Sequence, residues 1–235
     1  MHTASGGVYR AIGPRRTTLP SVLREPRIKF CGVTHPADVD MCIGAGAWAI
    51  GAVMTPHGPR ALGADAARVL MREVPQGTER VGVFVQPTAD AVARAVDACG
   101  LTRIQVHGVD DPRPLAAAAG VPVTLAIALE DEASIARADG ADCDLVLFDA
   151  AVPGAHGGTG VRADWGLLER RRPARPFALA GGLTADVVGD AVRRLRPFVF
   201  DVCSGVEGAV AGRKDPGRVR AFAQAVRAAA MEEAA

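Results

Sequence analysis

Eight short apolar runs, each trailed by a segment of helical character, recur along this chain, and that alternation restricts its fold more than any other feature. The run "RIKFCG" (27–32) precedes a helical stretch over 36–45 that Pro36 can start. "AWAIGAVM" (47–54) leads through a proline- and glycine-rich loop to a helix near 64–74. "ERVGVFVQ" (79–86) precedes "PTADAVARAVDACG", whose apolar residues at 92, 95, 96 and 99 share one helical face. "RIQVHG" (103–108), "VPVTLAIAL" (121–129), "DLVLFD" (144–149), "PFALAGG" (176–182) and "FVFDVCSG" (198–205) continue the series, the final helix covering about 215–230. A strand–helix–strand repeat demands parallel strands. Eight short, evenly spaced units favour closure over an open doubly wound sheet, so the expected fold is α/β, a single-domain (βα)8 TIM barrel over 27–230.

The 235 residues suit one such domain. Their formal net charge of +1 supplies no bulk field for nucleic acid, so an anionic ligand must be held by local donors. The basic run "RRRPAR" (170–175) has no aromatic platform beside it and reads as a solvated turn on the bottom face. Cysteines at 31, 42, 99, 143 and 203 form no CxxC pair and no metal-like spacing, which predicts free thiols in a reducing, cytoplasmic setting and no metal. Cys42, Cys99 and Cys143 read as small packing residues. No apolar run reaches the roughly 18 residues of a membrane helix. Residues 1–26 lack a secretory h-region and read as a disordered extension, with a faint transit-peptide composition as the other reading; 231–235 reads as a helix-prone tail that frays.

In this fold chemistry sits at the C-terminal ends of the strands. Those ends carry Cys31, His107, Asp149, the pair Gly181 and Gly182, and Asp201 to Ser204. Lys29 and Cys31 share one face of their strand, which places Lys29 one layer deeper, with Asp201 on the adjoining strand as its candidate partner. Lys29 could tune the thiol or be purely structural. "AGGLT" (180–184) and "CSGVEG" (203–208) place Gly181, Gly182, Ser204 and Gly205 after the last two strands, with Thr184 able to cap the next helix. That pattern reads as a phosphate site, because glycine lets N–H groups approach an anion at a helix N-terminus. After Asp149 comes a loop with Pro153, Gly154, Gly157, Gly158 and Gly160, either a lid over a ligand or a plain connector; His156 within it reads as solvated.

Several of these segments together resemble one family. "IKFCGVT" (28–34), "VGVFVQP" (81–87), "IQVHG" (104–108), "LFDAAVPGAHGGTGVRADW" (147–165), "LAGGLT" (179–184), "DVCSGVEG" (201–208) and "GRKDPGRVRAF" (212–222) are similar, in order, to phosphoribosylanthranilate isomerase. The resemblance implies a TIM barrel without cofactor or metal that converts N-(5-phosphoribosyl)anthranilate to 1-(2-carboxyphenylamino)-1-deoxyribulose 5-phosphate in tryptophan biosynthesis. It implies Cys31 as general base and Asp149 as general acid. Arg60, in "PHGPRAL", matches the family's substrate-binding arginine and could clamp the anthranilate carboxylate with two parallel hydrogen bonds. Asp201 and His107 join it as substrate-site residues, His107 being equally readable as a structural histidine.

The residue types suit that chemistry. Opening a furanose needs a proton delivered to the ring oxygen, and the rearrangement needs a base for the C2 proton. The sequence departs from the family pattern at Gly58, Ala61, Ala52 and Met54, which would widen the aromatic end of the pocket, and at Cys203, where serine is usual. A related phosphosugar isomerase of the histidine pathway or of specialised metabolism is the nearest alternative, although the histidine branch usually carries aspartate where Cys31 stands. A non-catalytic barrel that binds phosphorylated ligands is the third, and it would need neither Cys31 nor Asp149. The expected partner is a phosphorylated small molecule, and the expected assembly a monomer or homodimer.

Overall fold

A computed structural model describes residues 26–150 and 164–234. The expected N-terminal extension, His156 and the glycine-rich loop after Ala150 lie outside the described residues. The chain runs β1 (Arg27–Phe30), α1 (Pro36–Gly44), β2 (Ala49–Val53), α2 (Ala64–Arg72), β3 (Glu79–Val85) and α3 (Ala89–Cys99). It continues through β4 (Arg103–His107), α4 (Arg113–Ala119), β5 (Val123–Leu129), α5 (Glu132–Gly140), β6 (Leu145–Ala150) and α6 (Trp165–Arg170). The last units are β7 (Phe177–Leu179), α7 (Ala185–Leu195), β8 (Val199–Val202) and α8 (Pro216–Ala234). All eight strands pair in parallel and in sequence order, and β8 closes on β1 with Lys29 opposite Asp201 and Phe30 opposite Val202. The barrel is therefore closed, as the rhythm of the sequence predicts.

Strand alternation divides the core into two layers. Ile28, Phe30, Ile50, Phe148, Leu179 and Phe200 face outward and are buried beneath the helices. Phe30 meets Phe222 of α8 edge-on, with ring centroids 6.5 Å apart. Inside the barrel, Ala49, Val81 and Val83 form one small cluster and Leu145, Leu147, Ala178 and Val199 another. At the N-terminal ends of the strands Arg27 lies 5.1 Å from the Trp48 ring and 4.3 Å from that of Phe198, so cation–π contacts close the floor. With the floor closed in this way, the opposite mouth is the end that opens to a ligand.

The run 170–175 is a bend with Arg170, Arg172 and Ala174 exposed, as expected, and it also ties neighbouring elements together: Arg172 donates to the carbonyls of Leu195 and Arg194 at 2.8 and 2.9 Å, and Arg175 to those of Ala141 and Cys143. These guanidinium groups satisfy carbonyls that helix ends leave unpaired. One expectation needs correction: residues 231–234 continue α8 instead of leaving it, held by ion pairs of Glu232 with Arg193 and Glu233 with Arg196. Among the described residues no helix is long and apolar enough to cross a membrane.

Candidate active site

A cavity of about 400 Å³ opens at the C-terminal ends of the strands. Every residue assigned from the sequence to catalysis, substrate binding or phosphate binding lines it: Cys31, Asp149, Arg60, His107, Asp201, Gly181, Gly182, Ser204 and Gly205. Ala52 and Met54 do not. The parity of β2 turns Ala52 into the strand–helix layer, and Met54 packs against the same layer, so neither widens the cavity. Val53, Gly58 and Ala61 form that part of the wall instead.

On β1 the chain places Lys29 inside the barrel, 4% exposed, where its Nζ donates to Asp201 Oδ1 at 3.0 Å and Oδ2 at 2.8 Å. Burial pulls the ammonium down, but the Asp201 carboxylate outweighs it and holds Lys29 above its ordinary range. Gly51 of β2 makes room for this layer: a Cβ there would lie 3.1 Å from Cys31 Sγ and 3.2 Å from Lys29 Nζ. The thiol and the ammonium thus flank the same small space. The Cys31 thiol is brought down to about 7 by a hydrogen bond from Cys203, with burial opposing and the Lys29 charge assisting.

Asp149 is the penultimate residue of β6 and points inward, 9% exposed. Burial pushes its carboxyl up to about 6, against the backbone N–H of Ala150, which donates to Oδ1 at 2.8 Å. Base and acid candidates are therefore displaced in opposite directions, each toward neutrality. Such divergence of paired titratable groups is how an enzyme obtains acid and base near pH 7.

Arg60 is committed within the protein. Its Nε and Nη2 donate to Glu207 Oε1 and Oε2 at 2.8 and 2.7 Å, and Lys214 Nζ donates to the same Oε1 at 3.0 Å. Burial pushes the Glu207 carboxyl up, but the bonds from Arg60 and Lys214 prevail and hold it below its usual range. The side-on edge of Arg60 is thus taken, and only its end-on edge is left to grip a carboxylate. Asp38, buried in α1, accepts from Arg213 and from the Lys214 backbone, fixing the segment that delivers Lys214.

His107 closes β4, with its Nε2 3.0 Å from Gln105 Nε2. Gln105 is 3% exposed and lines the cavity, and its Oε1 has no hydrogen-bond partner among the described residues.

The loops after β7 and β8 press together. A Cβ on Gly205 would collide with the Leu183 carbonyl, so only glycine permits this approach. Gly181 and Gly182 have φ of +82° and +63°, where larger residues are strained. The N–H groups of Gly182, Ser204 and Gly205 make no backbone hydrogen bond among the described residues. Thr184 occupies the N-cap of α7, yet its side chain makes no capping bond. Unpaired donors therefore gather on one wall, beside the positive end of a helix.

Sequence reasoning missed Gln105, Glu207 and Lys214. Gln105 could have been found as a polar residue two positions from His107 on the inward face of an apolar strand. Glu207 and Lys214 belong to loops whose meeting no local pattern encodes. No group of three or more His, Cys, Asp or Glu residues among the described residues could hold a metal ion.

Residues 28–225 match the family N-(5'phosphoribosyl)anthranilate (PRA) isomerase. The N-(5'-phosphoribosyl)anthranilate isomerase of Thiobacillus denitrificans is 42% identical over 198 residues, covering 83% of this chain and 95% of the relative. The crystal structure of phosphoribosyl anthranilate isomerase from Thermotoga maritima superposes with a TM-score of 0.79 at 30% identity, over 86% of this chain and 99% of that one. A structure of phosphoribosyl anthranilate isomerase in complex with reduced 1-(o-carboxyphenylamino)-1-deoxyribulose 5-phosphate gives 0.76 at 29% identity, over 86% and 99%.

Proposed function

The chain belongs to the N-(5'-phosphoribosyl)anthranilate isomerase family of tryptophan biosynthesis, and within its aldose–ketose isomerisation we propose that Cys31 is the general base and Asp149 the general acid. The protonated Asp149 carboxyl gives its proton to the furanose ring oxygen, and the C1–O bond breaks as the anilino nitrogen forms the imine. The Cys31 thiolate then removes the proton from C2, giving an enolamine that tautomerises to the ketose. General acid–base assistance of this kind contributes typically 10²- to 10⁴-fold. The observation that carries the reading is the placement of Cys31 and Asp149 in one cavity at the C-terminal ends of β1 and β6, where their surroundings displace the thiol downward and the carboxyl upward.

The remaining groups bind and orient. The phosphate of the ligand takes the N–H donors of Gly182, Ser204 and Gly205, with Gly181 shaping the turn. Arg60, held by Glu207, offers its end-on edge to the anthranilate carboxylate. His107 and Asp201 complete the wall around the sugar. Every one of these groups comes from a single chain, so a monomer or a homodimer would serve equally, and the setting is cytoplasmic.

A turnover assay with freshly prepared phosphoribosylanthranilate, following loss of its fluorescence, tests the reading directly. Saturable turnover abolished by Cys31→Ser and by Asp149→Asn is expected. Turnover unaffected by both substitutions would remove the proposed roles.

A further inference from the structure

Cys203 follows β8 as Cys31 follows β1, and the pairing of Phe30 with Val202 makes the two cysteines the next step along the seam. The Cys31 N–H donates to Val202 O at 2.8 Å, so the strands are still joined at that point. Neighbouring strands lie about 4.8 Å apart, within the range of Cα separations that a disulfide spans, about 4.4 to 6.8 Å. Both side chains line the cavity and can be reached from it. Cys203 Sγ lies 3.9 Å from Glu207 Oε1, and its influence is the largest of those that lower the Cys31 thiol.

We propose that Cys31 and Cys203 form a redox-modification site, at which a hydroperoxide entering the cavity converts the two thiols to a disulfide and reversibly removes the base. The idea rests on the proposed role of Cys31 only for its effect on turnover. The chemistry balances. The Cys31 thiolate attacks one oxygen of hydrogen peroxide and the O–O bond breaks. The sulfur is oxidised to a sulfenic acid, and hydroxide leaves to combine with the proton that Cys31 had released. Cys203 then attacks the Cys31 sulfur, the S–O bond breaks, and the departing oxygen leaves as water with the Cys203 proton. Two thiols and one peroxide become one disulfide and two waters.

The other thiols are poorly suited to compete. Burial pushes Cys42 up to about 12 and also raises Cys99 and Cys143. Thiolate character therefore concentrates at Cys31, which has a second sulfur within reach.

The full-length protein treated with hydrogen peroxide should lose at least nine-tenths of its turnover, and dithiothreitol should restore most of it. A non-reduced digest should contain the Cys31 and Cys203 peptides joined. In Cys203→Ser no cross-link can form: after brief treatment dimedone should label Cys31 as sulfenic acid, and after prolonged treatment, when a second peroxide has carried that sulfenic acid on to sulfinic acid, the loss should persist after dithiothreitol; Cys203→Ala provides the same readout should the serine variant fold poorly. Inactivated wild-type protein with Cys31 as sulfinic acid and no cross-linked peptide would overturn the proposal, as would equal recovery in the Cys203 variants. Because the cross-link is read by mass, its absence is distinguishable from failure of the base assignment, which would appear as full turnover in Cys31→Ser.

Discussion

Lys29 directs its ammonium at both oxygens of Asp201, at 3.0 and 2.8 Å across the β1–β8 seam, one inward position below Cys31. The pair is buried on both sides, with side chains 4% and 5% exposed. Removing one partner leaves the other charge in a low dielectric. Lys29→Met should therefore destabilise the protein by about 3–5 kcal/mol, measured by urea unfolding. A loss below about 1 kcal/mol would mean that Asp201 finds water or another partner.

Cys31→Ser and Asp149→Asn should each lower turnover by at least about a hundredfold while changing product affinity little, because each removes a proton-transfer group and not a binding contact. Single-turnover kinetics with a product-binding titration separate the two quantities. Loss confined to affinity would reassign the residue to binding.

The pH profile should be a narrow bell. The productive form has the Cys31 thiolate, favoured above about 7, together with the Asp149 acid, favoured below about 6. Activity should peak near pH 6.5, midway between those values, with only about 6% of molecules in the productive state. Cys203→Ala deletes the hydrogen bond that most lowers the thiol, so the optimum should move upward, whereas Cys203→Ser can still donate and should move it less. Coincident profiles for the three proteins would separate Cys203 from the tuning.

Asp149 should weaken the fold it serves. Its folded pKa, about 6, lies above the ordinary 3.8, so the native state binds the proton more tightly than the unfolded chain. The contribution of Asp149 to stability is then greatest below about pH 4 and falls as pH rises through 6, with a cost at pH 8 on the order of 1–3 kcal/mol. Asp149→Asn should exceed wild type in thermal stability at pH 8, and the gap should close near pH 4. A gap independent of pH would point to altered packing.

Sulfate or inorganic phosphate should compete with the substrate, and Gly205→Ala should weaken that competition about tenfold or more by forcing the β7 and β8 loops apart at Leu183. Isothermal titration with phosphate reads this without turnover. Unchanged phosphate affinity in the variant would move the anion elsewhere.

The barrel was legible because each of its units is written locally, as an apolar run, a turn and a helical face. The same period-two reasoning put Lys29 beneath Cys31 and beside Asp201. Applied to β2 it would also have turned Ala52 outward, since Gly51 and Val53 hold the inward positions. What the sequence hid depends on loops meeting in space. Arg60 and Glu207 are 147 positions apart, and no periodicity links them. Thr184 stands where a cap belongs, but the hydroxyl's direction is a tertiary matter. The run 170–175 was legible as an exposed turn, but the bonds of Arg172 and Arg175 were not, because their carbonyl partners lie on other elements.

The β1–β8 seam also has a consequence in time. Cys31 and Cys203 are 172 positions apart, so a ribosome delivers Cys31 long before the neighbouring thiol that most lowers its pKa. At typical rates of about 5–20 residues per second, that interval is roughly ten to thirty seconds. Throughout it Cys31 is an ordinary thiol on an unclosed sheet. Its reactivity is acquired only when the eighth strand arrives, so a partly made chain cannot begin the chemistry of the finished one.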